Sequence, residues 1–535
     1  MPALLAPIIA NIFNKITETG KWPDLWKIEY VTVIPKNKSP HDPADCRNIA
    51  CTNFLSKLYE AFTLQWTRED VRPKKNQYGG EPSASSTQLL IEVLSDVTSA
   101  MEDNRAGVVL SAIDFSKTFN RLDHLKCLQA FARKGSSSEI LRLLGSFLSG
   151  RRMTVRVGDQ RSDMLTVNAG APQGSVLGCY LFNIGIDDLE EGFEQDTAAD
   201  RQKEAHEETL TRSDDFPAVS TPTRVGVFRQ EPHHSPVPSL QCQQFMLLPR
   251  VANAPPWIEK PKDPHFKQTC PKTYKYVDDQ VNTSVVNMRK AKLLVEDNVF
   301  FKEIVDLQSQ QLLNHIAKKA EDRGMAINAK KTSLMLVSAS TSFDARVRVD
   351  IGAETIRGTD TLKILGVTLD RDASFKTHTT NLAKKLRQRT WALTKLRKKG
   401  LSENDLVKTY KCLIRPTAEY ASPSWHSSLT ATQSAELERQ QTQALKNIYG
   451  PGISANKMRL RSDLDTLAKR RETAAKKFAT KAAMNPRSAE WFIERRSPVY
   501  ARRSGVNYPK YQEQTARTDR HRNSPKNYLV RLLNQ

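Results

Sequence analysis

Two adjacent carboxylates, Asp278 and Asp279, sit between β-prone runs in Tyr274-Lys275-Tyr276-Val277-Asp278-Asp279-Gln280-Val281. Residues of this type predict a β-hairpin with its acids at the tip. On a regular strand neighbouring side chains diverge, but at a tight turn both aspartates can approach one divalent cation. Asp-Asp is also ordinary turn chemistry, so a third acid and groups able to handle phosphate have to be sought elsewhere. Asp114 is one candidate, at the carboxyl end of the apolar run Gly107-Val108-Val109-Leu110-Ser111-Ala112-Ile113. Such a run predicts a buried strand, with Ser116 capping the helix that follows. Asp114 could equally be a cap or turn residue. A third feature is the loop Asn168-Ala169-Gly170-Ala171-Pro172-Gln173-Gly174-Ser175, which enters a helical run from Leu177 to Leu189. Its small residues would let a nucleotide approach the backbone, and amides at a helix start favour anions.

The elements that must position these groups are legible in outline. Leu4, Leu5, Ile8, Ile9, Ile12 and Phe13 recur at helical spacing in a helix that ends near Gly20. A β-rich stretch from Ile28 to Pro35 follows, then Lys36, Lys38 and a turn at Asp45-Cys46-Arg47-Asn48. Lys36 and Arg47, just beyond a strand, are placed to hold a phosphate or are plain surface charge. Helices are expected from Leu55 to Trp66, Thr87 to Met101, Leu125 to Arg133 and Ser138 to Leu148, and a hairpin over Thr154 to Val157 and Met164 to Val167.

Composition narrows the class of partner. The 535 residues carry a formal charge of +22, with a pI near 9.6. A surplus of that size suggests a polyanion, because lysine and arginine that neutralise phosphates release condensed counterions. Seven cysteines without a Cys-x-x-Cys pair argue against a zinc knuckle or a disulfide framework and suit a reducing compartment. No stretch is long and apolar enough to span a bilayer, and the opening residues lack the basic flank of a signal peptide, so cytoplasm and nucleus are the expected locations.

With these pieces in order, the chain resembles the reverse transcriptases of non-LTR (LINE-type) retrotransposons. Ile113-Asp114-Phe115-Ser116-Lys117-Thr118-Phe119 resembles their first palm motif, Ala171-Pro172-Gln173-Gly174-Ser175 their second and Tyr276-Val277-Asp278-Asp279 their third. The likeness extends through Cys46-Arg47-Asn48-Ile49, Ile327-Asn328-Ala329-Lys330-Lys331-Thr332, Leu362-Lys363-Ile364-Leu365-Gly366-Val367 and Arg415-Pro416-Thr417-Ala418-Glu419-Tyr420.

The resemblance implies an α+β right-hand polymerase of fingers, palm and thumb, with a ferredoxin-like antiparallel palm sheet. Fingers would occupy 1–106, the first part of the palm with a fingers segment 107–189, an insertion 190–271, the second part of the palm 272–370, a helical thumb 371–455 and a basic extension 456–535. It implies an RNA-directed DNA polymerase acting on an RNA template and DNA primer with dNTPs. Two Mg2+ ions, replaceable by Mn2+, would be held by Asp114 and Asp278 with Asp279 auxiliary. Carried over residue by residue, Lys36 and Arg47 would contact the triphosphate. Phe115, Gln173 and Gly174 would shape the nucleotide site, Phe119 would exclude a ribose 2′ hydroxyl, and Lys331 would lie near the leaving pyrophosphate. Other readings are an inactive relic or RNA-binding protein of the same fold, and an RNA-dependent RNA polymerase.

The segment from Glu190 to Pro271 departs from the family's spacing. Its prolines and polar residues predict a mostly disordered insertion, with His206, His233, His234 and His265 facing solvent. Beyond the palm, Lys384, Lys385, Arg387, Arg389, Lys395, Arg397, Lys398 and Lys399 gather on a helix whose Leu382, Leu386, Leu393 and Leu396 face inward. A basic helix with an apolar face suits a thumb lying along a duplex. The tail from Arg495 to Asn527 is expected to be flexible and to hold nucleic acid loosely. The start inside a folded unit suggests truncation at the N-terminus, and nothing resembles an endonuclease or ribonuclease H module.

Overall fold

A computed structural model of the chain describes residues 2–36, 46–102, 106–116, 118–193, 266–268, 271–276, 279–288, 295–338, 347–495 and 509–535. Asp278, Lys38, Asp45, Lys117, the four histidines of the insertion, Arg502 and Arg503 lie outside the described residues. The chain divides into two compact units, Met1–Glu191 with Gln268–Gln535, and Gly192–Lys267. The sheets, helices and cavities that follow belong to the first.

The apolar run preceding Asp114 forms the strand Ala106–Ser116. Val108, Val109, Leu110 and Ile113 are all buried, so the strand is covered on both faces, as an uninterrupted apolar run requires. It pairs antiparallel with Asp279–Met288 on one side. On the other it pairs with Ser333–Ser338 and the short Ala326–Ile327. Asp279–Met288 pairs in turn with Lys272–Tyr276, with Tyr276 opposite Asp279, which gives the expected hairpin. The helix Ser86–Ala100, whose Ser85 hydroxyl accepts the Gln88 N–H, packs Leu89, Leu90, Val93 and Val97 against this sheet.

A second sheet joins Ile28–Pro35 antiparallel to Cys46–Cys51 and parallel to Arg151–Val157. Cys46, Arg47 and Asn48 are therefore strand residues facing Pro35, Ile34 and Val33, and not the turn that their polarity suggested. The expected hairpin appears as Arg151–Val157 against Leu165–Val167. Arg151 and Glu29 form a buried ion pair at 2.6 Å across these strands.

The helix Phe54–Asp70 buries Tyr59 together with a polar stripe of Ser56, Glu60, Thr63 and Thr67. Phe54, Leu58 and Phe62 are exposed instead. The helical run expected from Leu177 to Leu189 is shorter, Gly178–Gly185.

The basic helix spans Lys376–Lys398, and its Leu382, Leu386 and Leu393 are buried as expected. They share one core with Leu362, Ile364, Val367 and Leu369 of the hairpin Thr361–Asp370 and with Trp425, Leu437 and Leu445. The described part of the tail expected to be flexible, which ends at Asn527, is folded: His521, Ser524 and Asn527 are buried, and Asn527 Nδ2 donates to the His521 carbonyl at 3.1 Å. Leu529, Val530 and Leu532 of the helix Pro525–Asn534 are buried with Ile91, Ala475 and Ala479, because apolar residues at helical spacing outweigh the surrounding charge. Among the described residues, no helix is long and apolar enough to cross a membrane.

Candidate active site

Asp114 stands directly opposite Asp279, in the last pair of the ladder between their two strands. Directly opposed residues of an antiparallel pair project to the same face with their Cβ atoms about 5 Å apart. Both acids line a cavity of about 330 Å³ together with Lys331, Ser333 and Lys363. The Lys331 ammonium lies 3.4 Å from Asp114 Oδ2. That oxygen is buried and accepts no hydrogen bond.

Lys331 is delivered by a turn strapped to the Asp114 backbone. Asn328 N–H donates to the Asp114 carbonyl at 2.7 Å, and Thr332 and Lys331 N–H both return to the Asn328 carbonyl. The Asp114 N–H donates to Thr332 Oγ1 at 3.4 Å. An acid and a cation that depend on each other's backbone cannot drift apart independently. Among the described residues no group of three metal-ligating side chains gathers. Two hard carboxylates on one face, one with an oxygen that has only an ammonium beside it, fit a divalent cation.

A second cavity of about 320 Å³ adjoins the acids, lined by Phe119, Pro172, Gln173, Gly174, Ser175, Cys179, Tyr276 and Asp279. Asp279 thus belongs to both. Its floor is the glycine loop, pinned at both ends. Gln173 carbonyl accepts the Ala50 N–H at 2.8 Å, and Ala171 N–H donates to the Phe119 carbonyl at 2.7 Å. Gly174 has φ +124°, and a Cβ there would stand 2.6 Å from the Ala50 carbonyl oxygen, so only glycine fits the approach. Phe119 stacks on Phe182 with ring centroids 5.0 Å apart, which holds its ring at the cavity wall.

The amides at the start of the next helix are already occupied. Glu60, fully buried, accepts the Val176 and Leu177 N–H groups at 2.6 and 3.2 Å, and Ser175 Oγ accepts the Gly178 N–H. An internal carboxylate fills the place where a bound anion was expected. Burial pushes the Glu60 carboxyl above its ordinary value, against the opposing pull of these amides, the Ser56 hydroxyl and Arg151. Its signal in the sequence was a lone acid on a helical face shared with serine and threonine.

The remaining expected residues are more dispersed. Phe115 is buried and, by strand alternation, on the face opposite to Asp114; it lines neither cavity. Lys36 and Arg47 are exposed where Ile28–Pro35 and Cys46–Cys51 meet and line neither cavity. Lys384, Lys385, Arg387, Arg389, Arg397, Lys398 and Lys399 are all exposed on or just beyond the basic helix. Lys385 and Arg389 line a groove of about 780 Å³ with Lys363, Pro416 and Tyr420. Trp391, 60% exposed on the same helix, carries the Lys395 ammonium 3.8 Å from its ring centroid.

Residues 34–213 match the sequence profile of the family described as reverse transcriptase (RNA-dependent DNA polymerase). The RNA-directed DNA polymerase from mobile element jockey of Drosophila melanogaster is 23% identical over 429 residues, covering 78% of this chain and 37% of that protein. Its Drosophila funebris counterpart is 24% identical over 509 residues, covering 92% and 45%. The probable RNA-directed DNA polymerase from transposon BS of Drosophila melanogaster is 27% identical over 194 residues, covering 35% and 21%. The chain spans less than half the length of these relatives. Telomerase from Candida albicans, solved with a fragment of telomeric RNA, aligns over 83% of this chain and 68% of that one at 9% identity and a TM-score of 0.39. The chain carries a reverse transcriptase domain of the kind found in non-LTR mobile elements.

Proposed function

We propose that this chain is an RNA-directed DNA polymerase that extends a primer 3′ hydroxyl along an RNA template with dNTPs. The observation that carries the reading is the pairing of Asp114 with Asp279 in one cavity, with Lys331 against the free oxygen of Asp114. In this reading the fingers occupy 1–106, the palm 107–189 and 272–370, and the thumb 371–455, with 456–535 an extension.

Asp114 and Asp279, with Asp278, would hold Mg2+ or Mn2+, which lowers the charge repulsion between primer, triphosphate and leaving group. The primer 3′ oxygen attacks the α-phosphorus as the bond to the β,γ-diphosphate breaks. The Lys331 side chain, 63% exposed on a fixed backbone, would swing from Asp114 to donate to that diphosphate. Gln173 and the Gly174 backbone form the floor on which the base pair rests, and Lys36 and Arg47 close on the triphosphate from the fingers. Phe119, stacked on Phe182, would be the ring that excludes a 2′ hydroxyl.

Extension of oligo(dT) on poly(rA) by the purified chain, with Asp114→Asn and Asp279→Asn as controls, tests the reading. Template binding without metal-dependent extension would point to a relic or RNA-binding protein. A wild-type preference for rNTPs would refute a DNA polymerase, whereas Phe119→Ala admitting rNTPs supports it.

A further inference from the structure

Lys275 lies in the middle of the strand that leads to the acids, yet it is fully buried. All three ammonium donors are used. They reach the carbonyls of Ile186 at 3.1 Å and Asp187 at 3.0 Å, and Glu190 Oε2 at 2.6 Å. The backbone is tied as well: Lys275 N–H donates to the Asn76 carbonyl and its own carbonyl accepts the Tyr78 N–H. Burial alone pulls the ammonium below its usual range, and Glu190 opposes that pull. A buried ion pair adds little stability over an apolar filling of the same space, so stability does not account for a lysine here; directed contacts that fix a position do.

The partners of that ammonium form a hub. Glu190 also accepts from Asn76 Nδ2 at 2.9 Å, and Asp187 pairs with Lys134 at 2.6 Å and accepts the Lys74 N–H. Asp188 pairs with Arg133 and Arg323, and Arg323 also donates to the Gly185 carbonyl at 3.1 Å. Arg323 leads directly into Ala326–Ile327 and the turn that carries Lys331. So the hairpin bearing Asp279 and the turn bearing Lys331 both hang on the carboxyl end of one helix, Gly178–Gly185. Its amino end is held by Glu60 and follows the Gln173-Gly174 loop. Cations at the carboxyl end of a helix are also favoured by its dipole. By the family's spacing Glu190 opens the insertion, whereas the compact unit runs through Glu191.

We infer that Lys275 is a positioning residue that staples the acidic hairpin to the carboxyl end of the Gly178–Gly185 helix and so sets where Asp279 meets Asp114. The inference rests on the reading of those two acids as cation ligands. The lysine touches neither acid; it acts through the strand, one register step from Tyr276 opposite Asp279.

The test is Tb3+ binding to the full chain, read by tyrosine-sensitised luminescence and run beside thermal denaturation. Lys275→Met with Glu190→Gln removes both members of the pair, so no buried charge is stranded, and losing the bonds to the Ile186 and Asp187 carbonyls lowers the melt without abolishing it. Half-saturation by Tb3+ should nevertheless rise about tenfold or more, the usual effect of losing a group that orients a ligand. The rise should vanish in an Asp279→Asn background, because the lysine acts through that acid. A folded double variant that binds Tb3+ at the wild-type concentration, while Asp279→Asn weakens binding, overturns the staple. If the double variant gives no cooperative melt, Lys275→Arg makes the same comparison, since it keeps the charge but not the three-way ammonium geometry. Wild-type half-saturation in Lys275→Arg is then the overturning result. Unchanged binding in both Asp114→Asn and Asp279→Asn overturns the cation-site reading itself, whatever Lys275 does.

Discussion

Replacing Glu60 by leucine should damage, from a distance, the cavity floored by the Gln173-Gly174 loop. The carboxylate sits on the helix Phe54–Asp70 and accepts the Val176 and Leu177 amides and the Ser56 hydroxyl. Leucine leaves both amides without this acceptor, and at about 1–3 kcal/mol for each stranded group the loss is about 2–6 kcal/mol. Glutamine keeps a carbonyl oxygen for the amides and should cost only about 1 kcal/mol. The two substitutions also separate charge from shape through pH. Burial raises the Glu60 carboxyl in the folded chain above its unfolded value, so the folded state holds that proton more tightly. Its contribution to stability is complete below the unfolded value and is lost as pH rises through the folded one. Glu60→Gln, which cannot titrate, should therefore lose less against wild type at pH 7 than at pH 4.5. Urea midpoints at the two pH values and the KM for dTTP on poly(rA)/oligo(dT) are the measurements. A Glu60→Leu chain with a wild-type midpoint and KM would refute the view that this acid holds the loop. A Gln deficit that grows towards neutral pH would refute the raised carboxyl.

Three further outcomes are expected. Leu529→Ala, at a site with no exposed surface, should lower stability by about 2–5 kcal/mol, whereas a loosely tethered tail would show no change in the urea midpoint. Burial pushes His378 and His426 down to about 4, with Arg471 adding to the effect at His426. Both stay neutral in the folded chain while the unfolded chain takes up protons, so their contribution is full above the ordinary histidine value and is lost as pH falls from there towards 4. His426→Gln should flatten the fall of Tm between pH 7 and 4.5, and an unchanged slope would count against the assignment. Lys384, Arg387, Trp391, Lys395 and Lys398 recur at helical spacing and are all exposed. Changing the four cations to glutamine should reduce the salt slope of template-primer binding by up to about 0.9 for each phosphate that is no longer neutralised, read by fluorescence anisotropy over a KCl series. An unaltered slope would place the duplex elsewhere.

What could be read from the sequence and what could not divide along a physical line. The run before Asp114 had to be a strand buried on both faces, because seven small or apolar residues in succession leave no polar side to face water. The Gly170-Ala171-Pro172-Gln173-Gly174 loop had to come close to something, and a Cβ placed at Gly174 meets the Ala50 carbonyl. Register was not readable. That Asp279 stands opposite Asp114 depends on pairing between strands far apart in the chain, which local patterns do not encode. The same long-range pairing made strand residues of Cys46, Arg47 and Asn48, whose weak β propensity suggested a turn.

Polarity misled most where buried polar groups are structural. A periodicity argument assigns Glu60, Thr63 and Thr67 to solvent and Leu58 and Phe62 to the core, but the helix turns its polar stripe inward because that stripe meets a loop with unsatisfied amides. In the sequence Lys275 reads only as part of a β-prone run, Asp187 and Asp188 as the end of a helical run, and Glu190 and Glu191 as the start of a mostly disordered insertion. Each is half of a contact whose other half lies elsewhere in the sequence: Lys275 with Glu190, Asp187 with Lys134, Asp188 with Arg323 and Glu191 with Lys74. A buried charge is tolerable only with its partner present, so one member of such a pair, seen alone, resembles surface. The acids proposed to do chemistry announce themselves by motif, while the groups that aim them become recognisable only once the chain is folded.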